Sequence, residues 1–222
     1  MSAESELALT EVKLGAIKKK VNAASWNDDY ENLIAEWGEK AAGLRFMHNN
    51  SASYWRKVSN DLTLYSIVAT TVASAASLVA GSLDSESAKN AVLFTAGGIG
   101  LVTSFIQSLK KFYNSDEKAA EHGSIAKQWG SYYRNVTLQM GMSREDRRPS
   151  DELSDWALKE YERLQQEALP LRQIDVTLYK KTFGKSDQAM PDNCRDNYSI
   201  AVYGRKKYIP PHQVSVRVED TE

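Results

Sequence analysis

Apolar positions recur at steps of three and four from Tyr30 to Val58. Tyr30, Leu33, Trp37, Ala41, Leu44, His48, Ser51, Trp55 and Val58 fall on one face of a long helix. Ahead of it, Ala3 to Ala24 also reads as helical, with a basic stripe at Lys18, Lys19 and Lys20. Ser25 or Asn27 is placed to cap the long helix, because a short side-chain oxygen accepts a free backbone N–H there. Asp28 and Asp29 suit the positive end of the helix dipole. Further on, Ile125, Trp129, Tyr132, Tyr133, Val136 and Met140 mark another amphipathic face. Residues 141–149 break it, and Ser150 is expected to cap a helix carrying Leu153, Trp156, Ala157, Tyr161 and Leu164. Pro170 stops that helix, and Asp175 to Phe183 reads as one more short helix. From Gly184 the periodicity fades; Pro191, Pro210 and Pro211 interrupt the chain, and 197–203 and 213–218 alternate as short strands do.

Two uncharged runs lie between these amphipathic helices. Residues 62–83 (LTLYSIVATTVASAASLVAGSL) and 91–109 (AVLFTAGGIGLVTSFIQSL) contain no Asp, Glu, Lys or Arg. About 20 such residues span the hydrocarbon core of a bilayer. The link Asp84–Asn90 is short, so the two helices must lie antiparallel. Small residues form a row at spacing four in each run: Ala69, Ala73, Ser77 and Gly81 in the first, Ala96, Gly100, Ser104 and Ser108 in the second. Such rows let helix backbones approach closely in lipid. Basic residues flank the hairpin on one side, with Arg56 and Lys57 before it and Lys110 and Lys111 after it. By the positive-inside tendency both chain ends belong on that side. Trp55, Tyr65, Phe112 and Tyr113 would form an interfacial aromatic belt there. The competing reading is a hairpin buried in a soluble bundle, since Ser, Thr, Ala and Gly make both runs only moderately apolar. The expected class is all-α: a transmembrane helical hairpin flanked by long amphipathic helices. Its divisions are a basic N-terminal segment (1–25), a helical unit (26–183) and an extended tail (184–222) that includes the strand-like pieces.

Composition narrows the function. Over 222 residues, 28 Lys and Arg balance 29 Asp and Glu, a net charge of −1, so no basic excess exists to hold nucleic acid. Cys194 is the one cysteine, which rules out an internal disulfide and a cysteine-rich zinc site. Met1 to Leu7 carries Glu4 and Glu6 and lacks an apolar core, so no cleavable secretory signal is expected. The glycines of 97–100 lack the Lys-Ser/Thr of a phosphate loop and sit in an apolar run, where packing explains them. His48 and His122 lie on the helices either side of the hairpin. If those helices pair, the two meet and make either a structural or a pH-sensitive contact. Sequons at Asn49, Asn135 and Asn197 fall on the basic-flanked side and are read as chance. The charged run 144–149 is a solvated turn or, through Arg144, Arg147 and Arg148, a partner contact. No convergent acid, base, nucleophile or metal set emerges, so no enzyme activity, cofactor or small-molecule substrate is expected.

From Tyr30 to Phe112 the chain resembles the SLATT family of two-pass membrane proteins. Tyr30, Leu33, Trp37, Lys40, Ala41, Arg45, His48 and Tyr54 carry the likeness, followed by the hairpin, Phe112, Tyr113, Trp129 and Tyr132. The segments 37–48, 105–114 and 142–167 are similar in texture to SLATT-like proteins encoded by giant algal DNA viruses. The family resemblance implies a self-associating, pore-forming effector without catalytic residues. The viral resemblance implies a minor virion component in the particle's internal membrane, with both termini on one side. It would tie the bilayer to the capsid proteins.

Overall fold

The computed structural model describes residues 3–195, with side chains from residue 10 onward. Among these residues the chain is all-α, without a strand. The elements are α1 (Ala3–Ser25), α2 (Asp28–Ala80), α3 (Glu86–Tyr113), α4 (Ser115–Gly141), α5 (Ser150–Glu167), α6 (Gln173–Phe183) and a single 3-10 turn at Asp192–Cys194. The expected strands at 197–203 and 213–218 lie outside the described residues.

Asn27 starts α2: its side-chain oxygen accepts from the Tyr30 N–H at 2.8 Å, with Asp28, Asp29 and Glu31 in the first turn. No proline interrupts the 53 residues that follow, and at 1.5 Å per residue α2 is about 80 Å long. α3 and α4 return along it antiparallel. They meet without a loop at Asn114, whose φ of 46° and ψ of 42° end one helix and open the next. Asparagine tolerates this left-handed conformation better than most side chains. The short turn between α2 and α3 makes the hairpin expected from the 84–90 link.

Away from that turn, α2 and α4 combine with α5 and α6 into a packed bundle. Ile34, Met47, Trp129, Tyr132, Leu153 and Leu164 are almost fully buried. α5 docks on α4 through aromatic rings: Tyr132 stacks on Trp156 at 5.4 Å, and Trp129 meets Tyr161 edge-on at 5.0 Å. The Tyr132 hydroxyl donates to the Ala157 carbonyl at 3.2 Å. α6 covers α2 through Phe46, which meets Phe183 edge-on at 5.2 Å.

Within the run 144–149, Arg144 and Arg147 turn towards Glu31, while Glu145, Asp146 and Arg148 stay exposed as a solvated turn would have them. Arg144 forks onto Glu31 with bonds of 2.8 and 2.9 Å, and Arg147 binds the same carboxylate. Arg144 foremost, then Arg147, hold the Glu31 carboxyl down at about 2 against the opposing effect of burial. Arg148 lies over Trp156, and its carbonyl accepts from the Trp26 indole at 3.1 Å. The loop thus fastens the start of α2 to α4 and α5. Ser150 is also employed differently from expectation. Pro149 occupies the cap position of α5, while the Ser150 hydroxyl donates to the Ser25 carbonyl at 2.8 Å and closes the junction with α1.

The segment 184–195 folds back on α2, where Gln188 donates to the Glu39 carbonyl at 3.0 Å and Arg195 binds Glu36 at 2.6 Å. Lys40, nearly buried, pairs with Glu36 and Asp192. Cys194 is buried with its sulfur 3.7 Å from that of Met47. Gly43 makes this seat possible, because a Cβ there would lie 2.6 Å from Pro191 Cγ and 2.7 Å from the Tyr179 hydroxyl. Gly43→Ala should cost about 1–3 kcal/mol by overpacking. Gly15→Ala, with nothing within 4 Å, should be neutral or slightly favourable by helix propensity. Thermal melts of the two variants check this; equal midpoints would mean that 184–195 is not seated on α2.

Candidate functional site

Two regions stand out from the packed bundle: the exposed apolar hairpin and a buried polar cluster just outside it. The helices containing 62–83 and 91–109 are long and apolar enough to cross a membrane. Only 6% and 11% of their apolar windows are buried within the chain. A hairpin in the core of a soluble bundle would bury most of each run, so this chain does not use them as its own core. Leu78, Phe94, Leu101 and Phe105 all point outward, a contiguous apolar surface of the kind that marks an interaction with lipid or protein.

The helices of the hairpin meet along a seam different from the four-residue rows. On α2 the covered positions are Ser59, Leu62, Ser66, Ala69, Ala73, Ala76 and Ala80; on α3 they are Val92, Ala96, Ile99, Thr103, Ile106 and Lys110. These alternate in steps of three and four, the repeat that holds a stripe on one side of an α-helix. A strict step of four advances 40° each time and rotates off the contact. Accordingly Ala69, Ala73 and Ala96 face the partner helix and Gly100 is at its edge, while Ser77, Gly81, Ser104 and Ser108 are exposed. An added Cβ at Gly100 meets nothing within 4 Å, so Gly100 is not a site of close approach within the hairpin. The exposed hydroxyls are satisfied locally: Ser77, Ser104 and Ser108 each donate to the carbonyl four residues earlier, at 2.8–3.0 Å.

The flanking residues collect at one end, as their positions imply. Lys110 donates to Thr63 Oγ1 at 2.8 Å and pairs with Asp116 at 2.9 Å. Gln107 donates to Ser66 Oγ at 3.0 Å. Arg56, Lys57, Lys111, Phe112, Tyr113 and Tyr65 are exposed. Trp55 is half-buried because Lys118 sits over its ring at 4.5 Å.

One helical turn or more into the bundle, α2 and α4 bring His48 and His122 together. Their Nδ1 atoms are 2.9 Å apart, and both side chains are almost fully buried. One ring must donate and the other accept, so the contact requires at least one neutral imidazole. Burial foremost, then the neighbouring His122, lowers His48 from its ordinary 6.5 to about 4, partly opposed by Asp175. Burial also lowers His122, opposed by Asp175 and assisted by the cations of Arg172 and Lys118. Asp175, buried at the first turn of α6, accepts from Ser51 and receives a two-pronged clasp from Arg172 with both bonds at 2.8 Å. The Arg172 guanidinium lies over Tyr54 at 3.7 Å. A cavity of about 170 Å³ opens beside His48 and is also lined by Trp129, Gln165 and Asn193. Asp175 and Arg172 were not singled out from the sequence; an Arg three residues ahead of an Asp at a helix start is the local signal they leave. Among the described residues, no group of three or more His, Cys, Asp and Glu is disposed to hold a metal ion. The cluster can couple protonation to the packing of three helices. No family model, curated protein or solved structure matches the chain.

Proposed function

We propose that the chain is a two-pass membrane protein with a structural rather than enzymatic role, its hairpin anchoring a helical bundle that engages other proteins. The observation that carries this reading is the outward exposure of both apolar windows. Arg56, Lys57, Lys110 and Lys111 gather at the end nearest the bundle, which supports a topology with the bundle and both flanks on the positively favoured side. The resemblance to SLATT-like proteins of giant DNA viruses supports a narrower proposal: a minor virion component joining an internal membrane to the capsid shell. A pore-forming effector is the second reading. It is favoured by the outward Gly97 and Gly98, with Gly100 at the edge of the seam, none of which has a neighbour within 4 Å of an added Cβ and which leave a bare helix surface for another copy.

Topology is tested with single cysteines at Ser87 and Ser124 in a Cys194→Ala background. An impermeant thiol reagent should reach the two from opposite sides of sealed vesicles. Labelling from the same side would rule out the hairpin as a membrane span. The two roles separate in a second experiment. A structural component is present in purified particles at fixed stoichiometry, whereas an effector is absent from them and releases dye from liposomes.

A further inference from the structure

We infer that the cleft where the hairpin joins the bundle is a binding site for a phospholipid headgroup that carries both a phosphate and an amine. The inference rests on the membrane reading above and deepens it. The cleft, about 580 Å³, is formed by the end of α3, the start of α4 and the facing stretch of α2. Leu62 and Ile67 give it an apolar wall continuous with the exposed hairpin, along which an acyl chain can run. Its other wall is polar.

Three features of that wall fit a phosphate. The first backbone hydrogen bond of α4 runs from the Lys118 N–H to the Asn114 carbonyl, and no side chain caps the helix. The N–H groups of Ser115, Asp116 and Glu117 therefore have no backbone acceptor and are available to an anion. Ser115 lines the cleft, is fully buried, and has an Oγ without a hydrogen-bond partner. An orphaned buried hydroxyl is costly unless something fills its valence. Lys111 supplies the charge: unlike Lys110, which is taken by Asp116 and Thr63, it forms no ion pair within the described residues.

The amine follows from the remaining charge. Asp116 is occupied by Ser59 foremost and then by Lys110, which hold its carboxyl below the usual range. Glu117 lines the same cleft and forms no ion pair within the described residues. The site thus offers one free cation and one free anion. A purely anionic headgroup would leave Glu117 opposed to a phosphate, whereas a zwitterion such as phosphoethanolamine answers both. The aromatic rings of Phe112 and Tyr113, exposed beside the cleft, set its depth at the level of headgroups.

The test uses the full chain in detergent micelles, titrated with phosphatidylethanolamine or phosphatidylglycerol of matched acyl chains and read as bound lipid by native mass spectrometry. Phosphatidylethanolamine should be retained about fivefold better, the scale of one partly screened ion pair. Glu117→Gln should abolish that preference without weakening phosphatidylglycerol. Lys111→Gln and Ser115→Ala should weaken both lipids. Equal retention of the two lipids, a preference that survives Glu117→Gln, or unchanged binding in both Lys111→Gln and Ser115→Ala would overturn the inference. Displacement by an equimolar amount of glycerophosphoethanolamine would show that the acyl chain adds nothing and overturn the commitment to lipid. Flotation of the same protein with liposomes separates the two claims. A chain that does not float defeats the membrane reading itself, while one that floats without lipid selectivity defeats only the headgroup site.

Discussion

Acidification from pH 7.5 to pH 4.5 should lower the melting temperature of the detergent-solubilised protein by several degrees, with most of the loss set by His48. In the folded chain its imidazole titrates at about 4 rather than 6.5. Its contribution is present in full above pH 6.5, where both folded and unfolded states are neutral. It is lost as pH falls from 6.5 towards 4, because the unfolded chain takes up the proton first. The displacement corresponds to about 3 kcal/mol. For a chain of this size that is roughly 6–12 °C. His122 moves in the same direction, but the shared contact at 2.9 Å couples the pair, so the two contributions are not summed. The carboxylate of Glu31 adds its own acid sensitivity only at lower pH, from its ordinary 4.5 down to about 2. The control is the double variant His48→Leu/His122→Leu, which replaces both partners of the contact and leaves no orphaned donor. Its melting temperature should be nearly flat over the same interval. A double variant that loses as much stability as the natural chain would show that the acid response originates elsewhere.

The second large effect is expected from Asp175→Ala. Asp175 is 2% exposed and joins α6 to both long helices, through Ser51 directly and through its field at the histidines. Its removal leaves the Arg172 guanidinium without its counter-ion. Breaking a buried pair from one side costs about 3–5 kcal/mol. The lower end applies, because the Arg172 side chain keeps 22% exposure and its place over Tyr54. Removing the charge from both partners in Asp175→Leu/Arg172→Met should recover much of the loss, since no unpaired charge then remains. A further sign is fixed by the same geometry. Asp175 raises the affinity of His48 and His122 for protons, so in Asp175→Ala the folded histidines titrate lower and the loss of stability on acidification should be larger. An Asp175→Ala protein as stable as the natural chain would mean that α6 is held by its apolar contacts alone.

Most of the helical order could be read from the chain because each helix has a strong periodic signal and a local boundary. Asn27 with two following aspartates, the uncharged runs and the link at 84–90 are all features that a few adjacent residues determine. The meeting of His48 and His122 followed from one inference, that the helices either side of a short link must run back along each other. What escaped depends on partners more than a hundred positions apart. Arg144 and Arg147 look solvated in a charged turn, and only the return of α4 to the start of α2 brings Glu31 to them. The segment 184–195 lacks periodicity because its order comes from Gly43, Glu39 and Met47 on another helix. The four-residue rows of small residues share Ala69, Ala73 and Ala96 with the seam and leave it at Ser77, Gly81, Ser104 and Ser108. The composition of Ala69 or Gly100 is visible in the sequence, whereas the rotation that puts Ala76 and Ala80 on the seam is a property of the pair.

The difference between the two sides of the hairpin has a mechanical consequence. α2 runs unbroken from Asp28 to Ala80, whereas its return path is jointed at Asn114. Bending or tilting forces therefore pass along α2 as along a strut, and the joint lets the returning side yield. The part of α2 before Ser59 extends about 45 Å beyond the apolar run. A 10° change of tilt within the bilayer would carry its far end, with the Glu31–Arg144 fastening, about 8 Å sideways. In the membrane setting proposed above, a change of bilayer thickness or tension too small to alter any contact within the hairpin would in this way be enlarged into a displacement at the far end of α2.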